Sequence, residues 1–295
     1  MPEGAYVPVR GGTVYREVFG RPADPLILLI AGGASSLDWW EPEFCERLVE
    51  GGRSVVRFDY RDTGASTTSP PGAPDYTADD LLDDILAVAD SVGAATFHAA
   101  GLSMGGGLAQ ALAVAHPDRL DTLTLLSTSH VGPGTPENGL PPMADRIAAS
   151  FSDPPPDPDW SDADAVVEHL VADLRLYAGS AGFDEDHTRQ IARRVVERST
   201  DMAAAVTNHY QAGGGFDPGP RLGELRIPTL VIHGTDDPMF PLEHGEALAS
   251  IIPGATLLAL EGVGHEVPPP STWDVVVPAL LAHTAAAASG APDDA

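Results

Sequence analysis

Short apolar runs alternate along this chain with longer stretches in which apolar residues recur at helical spacing. Between residues 76 and 92, for example, leucine, isoleucine and valine side chains fall on one face of a predicted helix. This alternation is typical of a mostly parallel sheet that helices cover on both faces. The predicted strands lie at 13–19, 25–31, 54–59, 95–100, 120–126, 228–233 and 255–260, and further helices at 41–50, 106–116, 244–252 and 273–283.

The alternation of strands and helices breaks in the middle of the chain, from about residue 131. A proline-rich loop at 154–158 is followed by helix-like stretches at 166–177 and 188–197 before the strands resume. We interpret residues 131–225 as a mainly helical cap that is inserted into an α/β core made of residues 1–130 and 226–295. Such a cap is expected to lie over the strand ends, where ligands bind in open α/β sheets.

Composition limits the partners and the location of the protein. The chain has 295 residues and a formal net charge of −27, which argues against nucleic acid and against anionic membrane surfaces as partners. Its single cysteine, Cys45, excludes an internal disulfide and reads as a buried apolar residue. Neither a signal-peptide pattern nor an apolar run of membrane-spanning length is present, so we expect a cytoplasmic protein.

The segment Gly101-Leu102-Ser103-Met104-Gly105 is the strongest indication of chemistry in the sequence. It lies between a predicted strand and a predicted helix, which is the context of a nucleophile elbow. Glycines on both sides allow a strained turn and a close approach of helix to strand. The pattern therefore predicts Ser103 as a nucleophile.

A serine nucleophile needs a base and an acid that orients the base, and candidates for both follow later strands in the expected order. Asp236 and Asp237 come directly after the strand at 228–233, and His265 follows the strand at 255–260. We favour Asp237 as the acid because it lies deeper in its turn. Asp236 would then accept hydrogen bonds from backbone amides, although it stays an alternative.

Two backbone N–H groups are predicted to stabilise the oxyanion of the reaction: those of Met104, directly after the nucleophile, and of Gly33, at the end of the strand at 25–31.

No histidine or carboxylate spacing matches a metal site, so we expect neither a metal nor another cofactor. A solvated face is the main alternative to a pocket role for His209. The candidate pocket residues are Trp39, Trp40, His130, His209 and Tyr210, with at least one of the two tryptophans expected in the core instead.

Taken together, these residues resemble the α/β-hydrolase superfamily over nearly the whole chain. The resemblance implies a mostly parallel eight-stranded sheet flanked by helices, with a helical cap inserted after strand six. The family's acid turn has the spacing of Gly234, Asp237 and Pro241, which supports Asp237. The family's pattern also places a histidine before the oxyanion glycine. Ala31 stands there in this chain, so the loop must be supported differently.

A narrower resemblance is to the anthracycline methylesterases of the aclacinomycin type. It depends on Gly32-Gly33, on the segment 57–68 with its Arg-Asp-Thr-Gly-Ala-Ser run, on residues 101–105 and on Asp237-Pro238. It implies a carboxylic ester hydrolase that acts through an acyl-enzyme on a small-molecule ester, such as the methyl ester of an aromatic polyketide. The same residues would also serve a lactonase, a C–C bond hydrolase or a perhydrolase, and a non-catalytic ligand receptor is a further alternative.

Overall fold

The structure, a computed structural model, describes residues 2–130, 139–214 and 219–286. Eight strands form one sheet in the order β1-β2-β4-β3-β5-β6-β7-β8. The first two strands run antiparallel to their neighbours and the other pairs are parallel, which confirms the predicted fold class. The strands are β1 (Glu3–Val9), β2 (Gly12–Phe19), β3 (Leu26–Ile30), β4 (Ser54–Phe58), β5 (Phe97–Leu102), β6 (Leu120–Leu126), β7 (Thr229–Gly234) and β8 (Thr256–Leu260).

Helices cover the sheet, and four of those in the described ranges fall between β6 and β7, where the sequence predicts a cap. The limits of that cap stay a prediction, because residues 131–138 and 215–218 lie outside the described ranges. The helices are α1 (Pro42–Glu50), α2 (Ala78–Asp90), α3 (Met104–Ala115), α4 (Asp145–Ser152), α5 (Ala163–Leu176), α6 (Glu185–Arg198), α7 (Met202–Thr207), α8 (Leu242–Ile251) and α9 (Trp273–Ala286).

The central strands are buried on both faces, as the continuous apolar runs of their sequences predict. Every residue of β3, β4 and β5 is buried. The helix α2 begins at a capping box, in which Thr77 accepts a hydrogen bond from the Asp80 amide and the Asp80 carboxylate accepts one from the Thr77 amide. Its apolar face then packs on the sheet. Local sequence and tertiary packing thus agree across the core.

The structure contains elements that were not predicted and displaces the ends of others by up to three residues. The strand β1 was not predicted, because six of its seven residues, Val7 excepted, are at least partly exposed and give little apolar alternation; β2 is therefore not the sheet edge. The helices α4 and α7 are too short to give a clear helical period. The helix α3 begins at Met104, two residues before the predicted start, where Gly105, Gly106 and Gly107 weaken the helical signal.

Within the described ranges, the helices are too short or too polar for any of them to cross a lipid bilayer.

Candidate active site

The turn between β5 and α3 holds Ser103 in a backbone conformation that few side chains adopt. Its φ is 52° and its ψ is −117°, outside the helical and extended regions. A Cβ atom on Gly101 would collide with the carbonyl oxygen of Gly105, and one on Gly105 with the carbonyl oxygens of Ile30 and Ala31. Both glycines are therefore required for the helix to approach the sheet this closely, and Ser103 comes to lie at the carboxyl end of β5.

The side chains of Ser103, His265 and Asp237 form a continuous chain of hydrogen bonds. The Ser103 Oγ lies 2.9 Å from the His265 Nε2, and the His265 Nδ1 lies 2.8 Å from the Asp237 Oδ2. Because a carboxylate accepts hydrogen bonds, the Nδ1 carries the proton and the Nε2 is left to accept from the serine hydroxyl. The buried Asp237 is fixed through its other oxygen, which accepts from the amides of Met239 and Phe240.

Asp236, the alternative acid, points away from His265. Its side chain is exposed, and its Oδ2 accepts a hydrogen bond from the Ser180 amide at 2.9 Å. Hydrogen bonding to the side chain and to the amide of Ser180 lowers the pKa of Asp236. Asp236 therefore bonds a backbone amide, as expected of the aspartate that is not next to the histidine, but the amide belongs to the loop between α5 and α6 rather than to its own turn.

The same loop between α5 and α6 packs closely on the segment that carries His265. The His265 amide donates to the Tyr177 carbonyl at 2.9 Å. A Cβ atom on Gly264 would collide with that carbonyl, so glycine is needed for the contact. The rings of Tyr177 and Phe240 lie 5.9 Å and 5.5 Å from the His265 ring, measured between centroids. Aromatic side chains thus flank the histidine.

The two predicted oxyanion donors lie on neighbouring segments beside Ser103. Met104 is the first residue of α3, so its N–H has no partner within the helix and lies at the positive end of the helix dipole. Gly33 belongs to the loop at 32–36, and a Cβ placed on it would lie 3.6 Å from the Met104 sulfur. Among the described residues, the Gly33 N–H has no hydrogen-bond acceptor. Both donors are available to a ligand.

The predicted pocket residues fall in different places. Tyr210 is 60% exposed, and its hydroxyl lies 3.7 Å from the Cβ position of Gly33. Trp39 is half-buried against a small apolar cluster of α5 and α6, and His130 is half-buried after β6. Trp40 is the core member of the tryptophan pair, and the pocket role was wrong for it. It is 1% exposed and stacks on Phe44, because it lies two residues before α1, whose apolar face is buried.

His209 is also not a pocket-lining side chain. It is 7% exposed, and both of its ring nitrogens are engaged by backbone groups. The Nδ1 accepts from the Ala34 amide at 3.0 Å, and the Nε2 lies 2.9 Å from the Arg61 carbonyl oxygen. The prediction that it faces substrate or solvent was therefore wrong, because the ring is inserted between two core loops.

The segment 57–68, which carries the narrower resemblance, forms a turn beside the site. Arg61 makes a buried two-point contact with Asp84, at 2.6 Å and 2.8 Å. Asp62 accepts hydrogen bonds from the Tyr76 hydroxyl and from the Asn208 side chain. The segment thus joins the core to the region that the sequence assigns to the cap.

A second link between these regions is an ion-pair cluster that sequence reasoning missed. Arg198, at the end of α6, contacts both oxygens of Asp59 at 2.7 Å and reaches Asp38 at 2.8 Å. Burial raises the pKa of Asp59, and Arg198 opposes that shift. Nothing in the sequence pairs these residues, because Arg198 is one of several arginines on α6.

Neither cysteine chemistry nor a metal centre is indicated. Burial raises the pKa of the Cys45 thiol to about 12, so it stays protonated and serves as a core side chain. Across the described ranges, no three His, Cys, Asp or Glu side chains cluster in a way that could hold a metal ion.

A serine–histidine–aspartate chain on an elbow, at the carboxyl ends of the parallel strands of an eight-stranded sheet, defines a class of protein. The chain belongs to the family with the alpha/beta hydrolase fold, whose sequence pattern matches residues 24–269. The resemblance stated from the sequence is thereby confirmed.

Two similar proteins cover nearly the whole chain. Rhodomycin D methylesterase DnrP of Streptomyces peucetius is 32% identical over 290 residues, which are 93% of this chain and 96% of that protein. Rhodomycin D methylesterase DauP of Streptomyces sp. strain C5 is 31% identical over 287 residues, with the same two coverages. The narrower resemblance to methylesterases is confirmed by both.

Solved structures with the same fold include hydrolases of other kinds. The enol-lactonase from Burkholderia xenovorans superimposes with a TM-score of 0.72 at 24% identity, over 95% of this chain and 100% of that chain. The esterase RhEst1 from Rhodococcus sp. ECU1013 also gives 0.72, at 20% identity, over 95% and 98%. At these identities the likeness concerns the fold alone.

Proposed function

We propose that this protein is a carboxylic ester hydrolase that works through a covalent acyl-enzyme on Ser103. The observation that carries the proposal is the hydrogen-bonded chain from the Ser103 Oγ through His265 to the Asp237 carboxylate. A serine hydroxyl becomes nucleophilic when a base takes its proton, and the base is effective when a buried acid fixes its tautomer and orientation. The similarity to two methylesterases supports the same reaction.

In the proposed reaction, the Ser103 Oγ attacks the ester carbonyl carbon while the His265 Nε2 takes the hydroxyl proton. The carbonyl electron pair moves onto oxygen, and the tetrahedral intermediate then collapses as the C–O bond to the alcohol breaks. The imidazolium gives its proton to the departing alcohol. A water molecule, deprotonated by His265, then attacks the acyl carbon. The bond from that carbon to the Ser103 Oγ breaks, the imidazolium returns its proton to the Oγ, and the acid is released. Asp237 stabilises the imidazolium in both halves of the cycle.

The oxyanion of both tetrahedral intermediates would be bound by the N–H groups of Met104 and Gly33. Both are backbone donors beside Ser103, and their geometry is set before the substrate arrives. Preorganised donors of this kind contribute about 3–4 kcal/mol each to the stabilisation of the transition state. The helix dipole of α3 adds to the field at the Met104 amide.

The aromatic side chains around the site support a large, flat acyl group in the substrate. Phe151 and Tyr210 are exposed and contact each other edge to face at 6.1 Å, close to the Gly33 loop. Tyr177 and Phe240 flank His265. Aromatic faces bind polycyclic ligands well, so we propose the methyl ester of an aromatic polyketide as substrate. Residues 131–225, the proposed cap, would supply most of this pocket.

The proposal is tested by hydrolysis of a panel of esters, with released acid measured by chromatography. The panel compares methyl esters of polycyclic aromatic acids with small methyl esters, p-nitrophenyl esters and lactones. We expect the highest kcat/KM for the polycyclic methyl esters. Ser103→Ala should lower kcat by about 10⁶-fold, while the matched control Ser152→Ala, an exposed serine on α4, should leave it unchanged.

The unfolding temperatures of the variants should equal that of the unaltered protein. A loss of turnover can then be attributed to the missing side chain and not to unfolding. Preferred cleavage of lactones would replace the ester assignment within the same mechanism. Binding of the polycyclic esters without turnover in the unaltered protein would instead indicate a ligand receptor, and turnover that survives Ser103→Ala would refute the nucleophile.

A further inference from the structure

The single turn of 3-10 helix at Asn208–Tyr210 inserts a buried histidine against the loop that carries the proposed oxyanion donor Gly33. His209 accepts a hydrogen bond from the Ala34 amide at its Nδ1, and its Nε2 lies 2.9 Å from the Arg61 carbonyl oxygen. The partners lie 175 and 148 residues away in sequence. The ring therefore connects three distant parts of the chain at one point.

These two partners determine which ring nitrogen carries the proton. An amide N–H requires an acceptor, so the Nδ1 facing Ala34 is unprotonated; a carbonyl oxygen requires a donor, so the Nε2 facing Arg61 carries hydrogen. Burial lowers the pKa of His209, which keeps the ring in this neutral form near neutral pH. The ring then satisfies one backbone donor and one backbone acceptor that would otherwise be buried without partners.

The peptide group between Gly33 and Ala34 is consequently held at both of its ends. Its N–H donates to His209, and its carbonyl oxygen accepts from the Ser35 hydroxyl at 3.2 Å. Ala34 also has a φ of 59°, in the left-handed region that an alanine rarely adopts and that needs external contacts to persist. The Gly33 N–H belongs to the preceding peptide group, which joins this one at the Gly33 Cα and is held through its Gly32 carbonyl oxygen, an acceptor for the Ser35 amide at 3.3 Å. The Gly33 N–H itself is not used by any described residue.

The turn that carries His209 is itself anchored firmly. The Asn208 side chain donates to Asp62 at 2.9 Å and to the Pro70 carbonyl at 3.2 Å, and it accepts from the Gly72 amide at 2.7 Å. Asn208 is fully buried. The distinctive segment around Asp62 thus fixes Asn208, and Asn208 fixes the next residue, His209. This gives the 57–68 segment a role that does not require it to touch substrate.

We propose that His209 is a positioning residue for the oxyanion hole: by accepting from the Ala34 N–H, it holds the loop at 32–36 so that the Gly33 N–H points at the reacting carbonyl oxygen. The inference deepens the proposed function and rests on it. It also accounts for Ala31, which stands where the family's pattern places a histidine. In this chain the support for the loop comes from His209, which lies between β6 and β7.

Two substitutions separate the two hydrogen bonds of His209. In His209→Asn the shorter side chain keeps an oxygen near the Nδ1 position and can still accept from Ala34. In His209→Gln the longer side chain keeps an amide N–H near the Nε2 position and can still donate to Arg61. His98→Gln is the matched control, because His98 is 4% exposed, hydrogen-bonded through its Nδ1 to Thr122, and lies near the opposite end of β5.

The experiment measures kcat and KM for the best ester of the panel, the inhibition constant of a boronic acid that forms a tetrahedral adduct with serine, and the unfolding temperature. We expect His209→Gln to lower kcat about 10- to 100-fold with little change in KM. The inhibition constant of the boronic acid should rise by a similar factor, because its adduct uses the same oxyanion donors. His209→Asn should keep most of the kcat of the unaltered protein and most of its affinity for the boronic acid. His98→Gln should keep the kcat of the unaltered protein.

A purely structural role for His209 predicts a different result, in which kcat follows the unfolding temperature and the Asn and Gln variants lose activity equally. That result, or a kcat of His209→Gln within about twofold of the His98→Gln control, would overturn the inference. The proposed function fails separately, through absence of turnover in the unaltered protein or its persistence in Ser103→Ala. Neither of those outcomes depends on His209.

Discussion

The nucleophile half of the candidate site and its oxyanion half are held in place by different parts of the chain. Ser103 is fixed by the glycines two residues before and after it, and Asp237 by amides two and three residues further on. The loop at 32–36, in contrast, is held by His209, which lies 175 residues from its partner Ala34. It is also held by the Arg198 cluster, because the Ser36 hydroxyl donates to Asp38, which lies 160 residues from Arg198. Ser103 and Asp237 are thus fixed by local sequence, whereas the loop at 32–36 depends on how the helical insertion docks.

After the loss expected for Ser103→Ala, the largest expected effect is at the acid of the nucleophile half. Asp237→Asn keeps a side-chain oxygen for the Met239 and Phe240 amides but removes the charge that fixes the tautomer of His265. We expect kcat for the best ester to fall about 10³- to 10⁴-fold with little change in unfolding temperature. Stopped or continuous assays of acid release measure this directly.

Asp236→Asn is the matched control for that substitution, because the neighbouring carboxylate is exposed and bonded to the Ser180 amide. Its kcat should stay within about twofold of the unaltered protein. A greater loss in Asp236→Asn than in Asp237→Asn would exchange the roles of the two aspartates.

The oxyanion half is tested most strongly by Arg198→Met. The substitution leaves Asp38 and Asp59 buried beside each other without their cation, and we expect the free energy of unfolding to fall by about 3–5 kcal/mol in urea titrations. The loss should shrink as the pH falls, because without Arg198 the pKa of Asp59 rises further above its unfolded value and protonation then favours the folded state.

Arg193→Met, on the same helix α6, removes an exposed ion pair with Asp164 and should cost at most about 1 kcal/mol. Equal losses for the two variants would mean that the Arg198 cluster does not hold the helical insertion on the core.

A smaller effect is expected from the glycine that lets α3 approach the sheet. Gly105→Ala places a methyl group against the carbonyl oxygens of Ile30 and Ala31, and we expect a loss of about 1–3 kcal/mol in the free energy of unfolding together with a shifted Ser103. Gly213→Ala is the control, since a Cβ there meets nothing within 4 Å. If Gly105→Ala were as stable and as active as the control, steric contact would not be what shapes the elbow.

The difference between the two halves also explains what the sequence could predict. The sheet, the elbow and the order of Ser103, Asp237 and His265 follow from patterns spanning a few residues, and the structure has these three side chains in contact. The roles of Arg198 and His209 arise from contacts between distant segments, which leave no periodicity or spacing in the chain. Trp40 illustrates the same limit, because its neighbours in sequence suggest a pocket and its neighbours in space form the core.

A comparable effect on stability is expected in acid, at a buried histidine of the sheet. Burial lowers the pKa of His98 to about 4, below its unfolded value of 6.5, so the unfolded state takes up the proton first. The stability that depends on neutral His98 is complete above pH 6.5 and is lost as the pH falls towards 4. Between pH 7.5 and 5 this amounts to about 2 kcal/mol. Urea titrations at pH 7.5 and pH 5 measure the free energy of unfolding. Between these two pH values, His98→Gln should lose about 2 kcal/mol less of it than the unaltered protein does. Equal losses would mean that another group carries the acid sensitivity.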